Sequence, residues 1–525
     1  MTGRDVIHRS PLPDVEIPDV LLPELVLRRA ADVPDKAALI EGVTGRVLTY
    51  GELDDAVRRL AGGLVAHAFA PGDVVAIMAP NSPEYAVVFH GVGFAGGVVT
   101  TINPTYTEAE VRHQLEDAGP RILVTDADCL DTALAASAGT SVQSTYVIGD
   151  AAIDGIPRLV ALFADPVSEP VDVPFDAPFA IPYSSGTTGL AKGVVLSHRA
   201  LVAGVMQTLA PFALRADEKI AAVLPFFHIF GIQVLMNAPI TAGATVITMP
   251  RFALQPYLQL LQDFAVTRAF VAPPIVAALA KDPIVDKFDL SGLEQVFSGA
   301  APLSPGLAGE ASARLGCEVV QGYGMTEMAP GTHLGPNRSS KPGSVGVTAP
   351  NSEIKVVDPV TGDAMHVGED GEVCMRGPQM MTAYLNNPRA TSDTIDEHGW
   401  LHTGDIGHVD DDGYLYVIDR LKEMIKYKGF QVAPAELEAV LLTHPAVADA
   451  AVIGEPDDIA GEVPVAFVVL KEATTATEDD IAEFVATRLA HFKRLAKVTF
   501  TDKVPRSASG KILRRLLRDQ ARPPT

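Results

Sequence analysis

The sequence is short of cysteine, of positive charge and of long apolar runs. Its 525 residues include three cysteines, Cys129, Cys317 and Cys374, and no two of them form a Cys-x-x-Cys pair. This spacing argues against a disulfide framework and against a zinc site, and it fits a reducing cytosol. We expect each cysteine to be a small buried apolar side chain.

Positive charge is scarce: the chain has 41 Lys and Arg residues and 65 Asp and Glu residues, which gives a formal net charge of −24. Such a chain is a poor general binder of nucleic acid or of anionic membrane, and the short basic stretch at 511–522 does not alter that balance. An anionic ligand would therefore need a local cluster of Lys, Arg and backbone N–H groups.

Apolar runs such as residues 269–280 are about a dozen residues long and are broken by Pro or Gly, whereas a membrane-spanning helix needs about 20. The N-terminus has no apolar core of the signal-peptide type. We therefore expect a soluble, cytoplasmic protein with no integral membrane association. We also expect a monomer or a homodimer.

Short apolar strands alternate with helices through the first part of the chain, which is too long for one hydrophobic core. Strands are predicted at 74–79, 98–102 and 121–125, with helices at 83–93 and 108–118. A second series of predicted strands lies at 220–224, 245–249, 269–271 and 295–298. This rhythm predicts two doubly wound parallel sheets covered by helices.

After about residue 343 the pattern changes to antiparallel strands, which predicts a small β-barrel. The last hundred or so residues read as a smaller α+β unit, with helices at 434–442 and 478–489 and strands at 447–454 and 463–470. We expect an α/β protein with a large N-terminal domain at 1–420 and a smaller, mobile C-terminal domain at 421–525.

Hydroxyls, glycines and a lysine crowd the segment 183–193, directly after an apolar strand predicted at 179–183. Glycines let backbone N–H groups close on a polyanion, and hydroxyls and an ammonium add donors, so the segment suits a triphosphate. It is not a Walker A loop, because Gly193 follows Lys192 where that motif needs Ser or Thr. A Ser/Gly linker is the alternative, but a linker would not be embedded between two apolar strands.

This segment resembles the phosphate loop of the adenylate-forming superfamily, which contains acyl-CoA ligases, luciferases and peptide-synthetase adenylation domains. Further motifs of that superfamily follow in order at 298–302, 321–327, 399–405, 419–431 and 505–512. The stretches 225–229, 371–377 and 426–434 are most similar to the 4-coumarate–CoA ligase branch. The resemblance implies an ATP-dependent acid–CoA ligase that forms an acyl-adenylate and then an acyl-CoA thioester.

The resemblance also implies the residues that do this work. ATP would contact Ser184, Ser185, Gly186, Thr187, Thr188, Gly189, Lys192, Gly299, Ala300, Gln321, Gly322, Tyr323, Gly324, Met325, Thr326, Asp405, Arg420, Lys422 and Gln431. Glu327 and Thr188 would hold Mg²⁺, and Lys511, Lys426 and His228 would serve catalysis. Coenzyme A would meet Lys428, Gly429 and Arg251 after the C-terminal domain turns about a hinge at Lys422.

Lys511 carries most of the chemistry in this interpretation, because a carboxylate and a phosphate must be brought together and both are anions. By itself it would read as a surface lysine at the start of a basic helix at 511–518. His228 alone would read as a core histidine. No general base is assigned to it, since a carboxylate nucleophile needs none.

The resemblance places the acyl pocket around His228, Ile229, Phe230, Gly231, Phe297, Ala301 and Pro330, with Ala300, Gly322 and Gly324 beside it. Plant coumarate ligases typically have Tyr at the position of Phe230 and often Lys at that of Phe297. Both changes remove polar groups, and a buried phenolic hydroxyl without a partner loses affinity. We expect an apolar acid, either cinnamate-like or a medium-chain fatty acid, while coumarate stays a candidate.

Three rival functions share this pattern: a luciferase-like oxygenase, an adenylating enzyme that loads a carrier protein, and a nucleotide-binding regulator without activity. The oxygenase would need a luciferin and would emit light. The stretch 428–430 resembles the CoA-dependent version of its motif, and the regulator is disfavoured because every expected catalytic position is filled.

Overall fold

The computed structural model describes residues 6–149, 153, 155–184, 191–335, 341–428, 430–457, 459–472, 474–507 and 510–521. Two seven-stranded sheets, mostly parallel, form the larger part of the molecule. A five-stranded and a three-stranded antiparallel sheet lie beside them, and another sheet is built from the last hundred residues. The expected α/β architecture with two doubly wound sheets is confirmed.

The first sheet has antiparallel strands at one edge and parallel strands in the remainder. In spatial order its strands are Ala383–Tyr384, Lys192–Ser197, Pro178–Ser184, Val98–Thr101, Val74–Met78, Ile122–Thr125 and Ser144–Val147. The central strands are buried on both faces, which explains why they read as continuous runs of Val, Ile and Thr.

The second sheet is parallel except for its last strand. In order its strands are Glu318–Gln321, Gln295–Ser298, Arg268–Val271, Lys219–Ala222, Thr245–Thr248, Ala37–Glu41 and Val47–Thr49. The helix Pro83–Phe94 packs against strands of both large sheets. Every residue of that helix except Glu84 is buried, as expected for a helix that is apolar all round.

The α-helices cover the sheets, and several of them begin with a side-chain cap. They are Leu22–Leu27, Tyr50–Ala66, Pro83–Phe94, Glu108–Ala118, Leu130–Ser137, His198–Phe212, Ala238–Ala242, Leu254–Asp263, Pro273–Lys281, Pro305–Leu315, Pro388–Thr394, Pro434–Leu441, Glu478–Ala486 and Arg514–Ala521. Ser82, Ser197 and Ser304 each accept a bond from a backbone N–H of the first turn of their helix. Among the residues that the structure describes, no helix combines the length and apolar character needed to cross a lipid bilayer.

The antiparallel part corresponds to the expected small barrel. Its five-stranded sheet contains His8–Arg9, Glu353–Val357, Gly371–Arg376, Leu401–Val409 and Leu415–Arg420. The three-stranded sheet contains Tyr323–Gly324, Gly331–Leu334 and Val347–Thr348, and a bridge between Val347 and Tyr414 joins the two.

The sheet changes between Arg420, the last residue of that five-stranded sheet, and Ile425. The C-terminal sheet contains Phe430–Val432, Ile425–Tyr427, Gly461–Leu470, Val447–Asp457 and Lys497–Phe500. It has hydrophobic clusters of its own, one of them built around Ile425, Leu437 and Val468.

The predicted start of the basic helix at residue 511 is wrong, because the observed helix begins at Arg514. Arg506 pairs with Ile512 in an antiparallel bridge, so the chain around Lys511 forms a tight turn instead of a helical one. Gly510 enters this turn at φ +86°, a conformation that favours glycine. The three cysteines are buried, as expected.

Candidate active site

A cleft of about 300 Å³ lies where strands of the first sheet, the antiparallel sheets and the C-terminal part of the chain meet. Its walls include Thr101, Asn103, Gln114, Tyr183, Ser184, Lys192, Phe227, His228, Met325, Thr326, Glu327, Glu372, Tyr384, His402, Gly404, Arg420, Lys422, Ser507 and Lys511. Thr101 and Ser184 each end a strand of the first sheet. Ligands of open α/β sheets bind outside such carboxyl ends.

Basic side chains converge on this cleft in a chain that is acidic overall. Lys192, Arg420, Lys422 and Lys511 all line it. Burial lowers the pKa of Lys192, and its ammonium lies 3.9 Å from the centre of the Tyr384 ring. The cleft therefore has the local positive charge that a polyanionic ligand requires.

Lys511 reaches the cleft from the C-terminal turn. Its backbone N–H donates to Ser507 Oγ at 3.1 Å, and its carbonyl accepts from the Ser507 N–H at 2.8 Å. A Cβ added to Gly510 would come within 3.3 Å of Ala272, so the turn rests against the N-terminal part of the molecule. Burial lowers the pKa of Lys511, the Arg420 charge lowers it further, and the Asp405 and Glu327 carboxylates oppose both.

Arg420 and Asp405 are directly opposite each other on neighbouring antiparallel strands. Arg420 Nε lies 3.1 Å from Asp405 Oδ1, while the hydroxyl of Tyr323 donates to Asp405 Oδ2. The Asp405 carboxylate raises the pKa of Arg420, whereas burial followed by that same carboxylate raises the pKa of Tyr323. These three side chains, which are distant in sequence, form one polar group, in which Arg420 lines the cleft and Asp405 does not.

Glu327 supplies a buried carboxylate on a short 3₁₀ turn, Thr326–Met328. Its Oε1 accepts a hydrogen bond of 2.8 Å from the Tyr384 hydroxyl. Burial, together with this carboxylate, raises the pKa of Tyr384, so the phenol stays protonated as the donor. Tyr384 therefore holds Glu327 with its hydroxyl and Lys192 with its ring.

His228 separates the cleft from a second cavity and lines both. Its Nδ1 accepts from the Phe230 N–H at 3.3 Å, which leaves the proton on Nε2. Burial, with a smaller contribution from Lys511, lowers the pKa of His228 to about 3. The imidazole is therefore neutral near pH 7 and can donate from Nε2.

The second cavity, of about 50 Å³, is mainly apolar and adjoins the cleft at His228, Met325, Thr326 and Lys511. It is lined by Thr208, Phe212, Ile229, Phe230, Val234, Phe297, Gly299, Ala300, Gly322, Tyr323, Gly324, Pro330, Gly331, His333 and Leu334 among others. A π-helical segment, Gly231–Asn237, begins directly after Phe230, and such segments are frequent at functional sites. We call this cavity the acyl pocket because it is lined by most of the residues that the resemblance assigns to an acyl pocket.

Two residues expected in the acyl pocket, Gly231 and Ala301, are not among its walls. A Cβ on Gly231 would lie 2.0 Å from the carbonyl oxygen of Pro225, so this glycine is required by close backbone approach. Gln321 is not a wall residue of either cavity, and its amide spans the preceding loop, accepting from the Leu303 N–H at 3.2 Å.

Several expected contacts lie elsewhere on the molecule. Lys426 and Gln431 are cross-strand partners on an exposed ribbon, and neither lines the cleft. Lys428 is exposed at the end of that ribbon with φ +47°. Arg251 is exposed and lies 3.2 Å from Asp128. Ser185, Gly186, Thr187, Thr188, Gly189 and Gly429 fall outside the described residues.

Other side chains of these cavities were not expected from the sequence, chiefly Tyr384, Asn103, Gln114 and His402 in the cleft and Thr208, Phe212 and His333 in the acyl pocket. Of these side chains only His402 could have been found from the sequence, because it lies within the motif at 399–405. The buried Oγ of Ser184 has no hydrogen-bond partner within the described part of the chain, which suits a hydroxyl reserved for a ligand.

Two family models match the chain. The AMP-binding enzyme model covers residues 26–385, and the AMP-binding enzyme C-terminal domain model covers residues 436–511. Among curated relatives, 4-coumarate–CoA ligase 3 of Oryza sativa subsp. japonica is 45% identical over an alignment of 525 positions that covers 98% of this chain and 94% of the relative. 4-Coumarate–CoA ligase 1 of Petroselinum crispum is 43% identical over 98% of this chain and 96% of the relative.

Solved structures of other proteins are similar to this chain over nearly its whole length. ATP-bound MatB from Rhodopseudomonas palustris superposes with a TM-score of 0.87 at 30% identity, over 95% of this chain and 98% of that one. The anthranilate CoA ligase AuaEII in complex with anthranoyl-AMP superposes with a TM-score of 0.89 at 26% identity, over 97% of this chain and 98% of that one.

Proposed function

The chain belongs to the AMP-binding enzyme family, and from this premise we propose that it is an acid–CoA ligase whose acid is an apolar phenylpropanoid such as cinnamate or 4-coumarate. It would consume ATP to make the acyl-adenylate and then transfer the acyl group to coenzyme A. Likeness to 4-coumarate–CoA ligases over nearly the whole chain supports the ligase activity. The geometry of the site supports the roles given to individual residues.

One observation carries the proposal: the polar cleft and the apolar acyl pocket meet at Lys511 and His228. A nucleotide in the cleft and an acid in the acyl pocket would bring the α-phosphate and the carboxylate together at this junction. Here the carboxylate oxygen attacks phosphorus, a new P–O bond forms, and the bond to pyrophosphate breaks. The repulsion between the two anions is the main electrostatic obstacle to this step.

Lys511 is suited to offset that repulsion because the bond from its N–H to Ser507 and the Arg506–Ile512 bridge place it at the junction. Anionic ligands would also raise the pKa of this lysine and favour its charged form. Neutral His228 would donate from Nε2 to the acid carboxylate or to a phosphate oxygen, orienting the nucleophile without taking a proton.

Lys192, Ser184 and Arg420 line the cleft and are suited to the phosphates. Asp405 is not a wall residue, and we propose it for the ribose hydroxyls from the family resemblance and from its ion pair with Arg420. Glu327 is a hard oxygen donor on the same wall and fits a magnesium ion, with Thr188 as a second proposed ligand. When bound with ATP, Mg²⁺ would supply positive charge to the phosphate oxygens. The chain's own part is to hold Glu327 in place, which the Tyr384 hydroxyl does.

The acyl pocket favours an apolar acid. Phe230 and Phe297 meet edge to face with ring centres 6.3 Å apart, and Phe212 packs edge to face on Phe297 at 4.9 Å. Such walls stabilise an aromatic or aliphatic tail but offer little to a phenolic hydroxyl. Cinnamate is therefore expected to be used at least as well as 4-coumarate, and medium-chain fatty acids are the second class to test.

For the second step we propose that residues 421–525 turn about Lys422 as a mobile domain. The change of sheet between Arg420 and Ile425 supports a boundary at this place. Lys511 would then leave the cleft, and exposed Lys428 with its neighbour in sequence, Gly429, would enter it to meet coenzyme A, with Arg251 as a further contact.

A substrate panel tests the proposal. Purified protein is given ATP, Mg²⁺ and one acid at a time, with and without coenzyme A, while pyrophosphate release is followed and the product is identified by mass. We expect pyrophosphate with cinnamate and 4-coumarate, and acyl-CoA only when coenzyme A is present. Pyrophosphate without acyl-CoA would contradict the ligase activity. A large preference for coumarate or caffeate over cinnamate and C6–C10 acids would contradict the argument from the acyl pocket.

A further inference from the structure

Three chemically different ligating side chains lie together on one face of the antiparallel sheet. Glu372 and Cys374 are two residues apart on the strand Gly371–Arg376, so both project from the same face. Cys374 is directly paired with His402 on the neighbouring strand. Within the described ranges this is the single group of three or more His, Cys, Asp or Glu side chains close enough to share a metal ion.

From this arrangement we propose that Glu372, Cys374 and His402 form a binding site for a soft divalent cation of the Zn²⁺ type, separate from the Mg²⁺ that accompanies ATP. Their ligand atoms all lie within 4.8 Å of one another. The earlier expectation of no zinc site rested on the lack of a Cys-x-x-Cys pair. Sheet pairing instead assembles one thiol, one imidazole and one carboxylate.

The distances suit tetrahedral coordination. Cys374 Sγ lies 3.4 Å from His402 Nδ1, and His402 Nδ1 lies 2.9 Å from Glu372 Oε2. Bonds of about 2.3 Å to sulfur and about 2.0–2.1 Å to nitrogen or oxygen would separate ligand atoms by roughly 3.3–3.6 Å, so these two pairs need side-chain adjustments of a few tenths of an ångström. The third pair, Cys374 Sγ and the Glu372 carboxylate, lies within 4.8 Å and would close by at most about 1.2 Å. A thiolate in the set selects Zn²⁺ over Mg²⁺.

The surroundings also match a metal-binding histidine. The other ring nitrogen of His402 lies 3.6 Å from Asp396 Oδ2, and a carboxylate at that nitrogen commonly orients such a ring. Asp396 is itself held, because its Oδ1 accepts from the backbone N–H groups of His398 and Trp400 at 2.9 Å. A carboxylate held by two backbone hydrogen bonds thus lies on the side of the imidazole opposite the thiol.

A cation could reach the site from the cleft, because Glu372 and His402 line the cleft wall while Cys374 is fully buried behind them. Three protein ligands would leave a fourth position for water on the cleft side. The second oxygen of Glu372 accepts from the Gly404 N–H at 3.0 Å, directly before Asp405. A bound cation would therefore hold the segment that carries Asp405.

Cobalt spectroscopy tests the site without ATP, so its result does not depend on ligase activity. Metal-free protein is titrated with Co²⁺, which substitutes for Zn²⁺ and gives a near-ultraviolet charge-transfer band only when a thiolate binds it. We expect one equivalent of Co²⁺ to produce this band and Zn²⁺ to remove it. We expect the band to disappear in Cys374→Ser and to need at least tenfold more Co²⁺ in His402→Ala.

Cys129→Ser and Cys317→Ser are the matched controls, because each removes a buried thiol outside the cluster and should leave the band unchanged. Circular dichroism checks that each variant folds, and if Cys374→Ser does not fold, His402→Ala and Glu372→Gln decide the question. The proposal is overturned if wild-type protein gives no band at millimolar Co²⁺, if the band survives in Cys374→Ser, or if a folded His402→Ala binds as well as wild type.

Discussion

Tyr384 contacts both Glu327 and Lys192, two residues that are proposed to act on ATP. The substitution Tyr384→Phe removes the first contact and keeps the second. The substitution removes the hydroxyl that donates to Glu327 Oε1 at 2.8 Å. It keeps the aromatic ring, so the Lys192 ammonium retains the face that it now approaches at 3.9 Å. A loss of activity in this variant therefore reports on the hydroxyl, with its contacts to Glu327 and Thr394, and not on the ring contact with Lys192.

The expected size of the effect follows from the burial of that carboxylate. Glu327 is 6% exposed, so water cannot fully replace the lost donor. A hydrogen bond to a charged group contributes about 1.5–3 kcal/mol, which corresponds to roughly tenfold to a hundredfold in kcat/KM at 1.4 kcal/mol per decade. We expect that loss for ATP, measured as acid-dependent pyrophosphate release at saturating acid.

Tyr50→Phe is the matched control for Tyr384→Phe. The Tyr50 hydroxyl is buried and donates to the carbonyls of Ile240 and Ala244 at 3.1 and 2.6 Å, and this tyrosine does not line the cleft. The control should lower the thermal midpoint and leave kcat/KM for ATP within about twofold of wild type. If Tyr384→Phe also lost only stability, the positioning of Glu327 by Tyr384 would be refuted.

Three further predictions concern other parts of the site and the core. Burial lowers the pKa of His90 from 6.5 to about 3. Between these two values only the unfolded chain binds the proton, so the free energy of unfolding falls as the pH drops from 6.5 toward 3. In His90→Phe this loss, up to about 1.4 kcal/mol per pH unit, should be absent, and the thermal midpoint relative to wild type should increase steadily as the pH is lowered from about 6.5 to about 4. In Gly322→Ala the new Cβ would lie 2.3 Å from Phe297 Cζ, inside the acyl pocket. The KM for cinnamate should therefore rise roughly tenfold and the KM for ATP much less. An equal rise in both KM values would contradict the assignment of this cavity to the acid. Arg420→Lys keeps the charge but loses the guanidinium whose Nε lies 3.1 Å from Asp405 Oδ1. The value of kcat/KM for ATP should fall about tenfold in the pyrophosphate assay. Kinetics equal to those of wild type would exclude a role for the planar guanidinium.

Elements with local signals were predictable from the sequence. The helix predicted at 108–118 is observed as Glu108–Ala118, because Thr107 and Glu110 form a capping box and Gly119 ends the helix at φ +62°. The strands that were predicted in the two large sheets agree with the observed ones to within one or two residues, since their apolar runs are bounded by turn residues. Parallel pairing then followed from the alternation of strands and helices.

Elements governed by distant contacts were not predictable in the same way. The basic residues after Lys511 resemble a helix locally, but pairing of Arg506 with Ile512 keeps the first of them in a turn. Tyr384 was missed because its partner Glu327 is 57 residues away in sequence and meets it only in the folded chain. Motif resemblance named the cations of the cleft, while the side chains that hold them in place required the structure.

Lys511→Ala tests the central claim most directly, provided the two half-reactions are measured separately. Because Lys511 is proposed to act only while acid and ATP combine, the variant should lose nearly all acid-dependent pyrophosphate release. It should still convert supplied cinnamoyl-adenylate and coenzyme A to the thioester at a rate close to wild type. A Lys511→Ala protein that releases pyrophosphate at the wild-type rate, or that loses both half-reactions equally while remaining folded, would contradict this account.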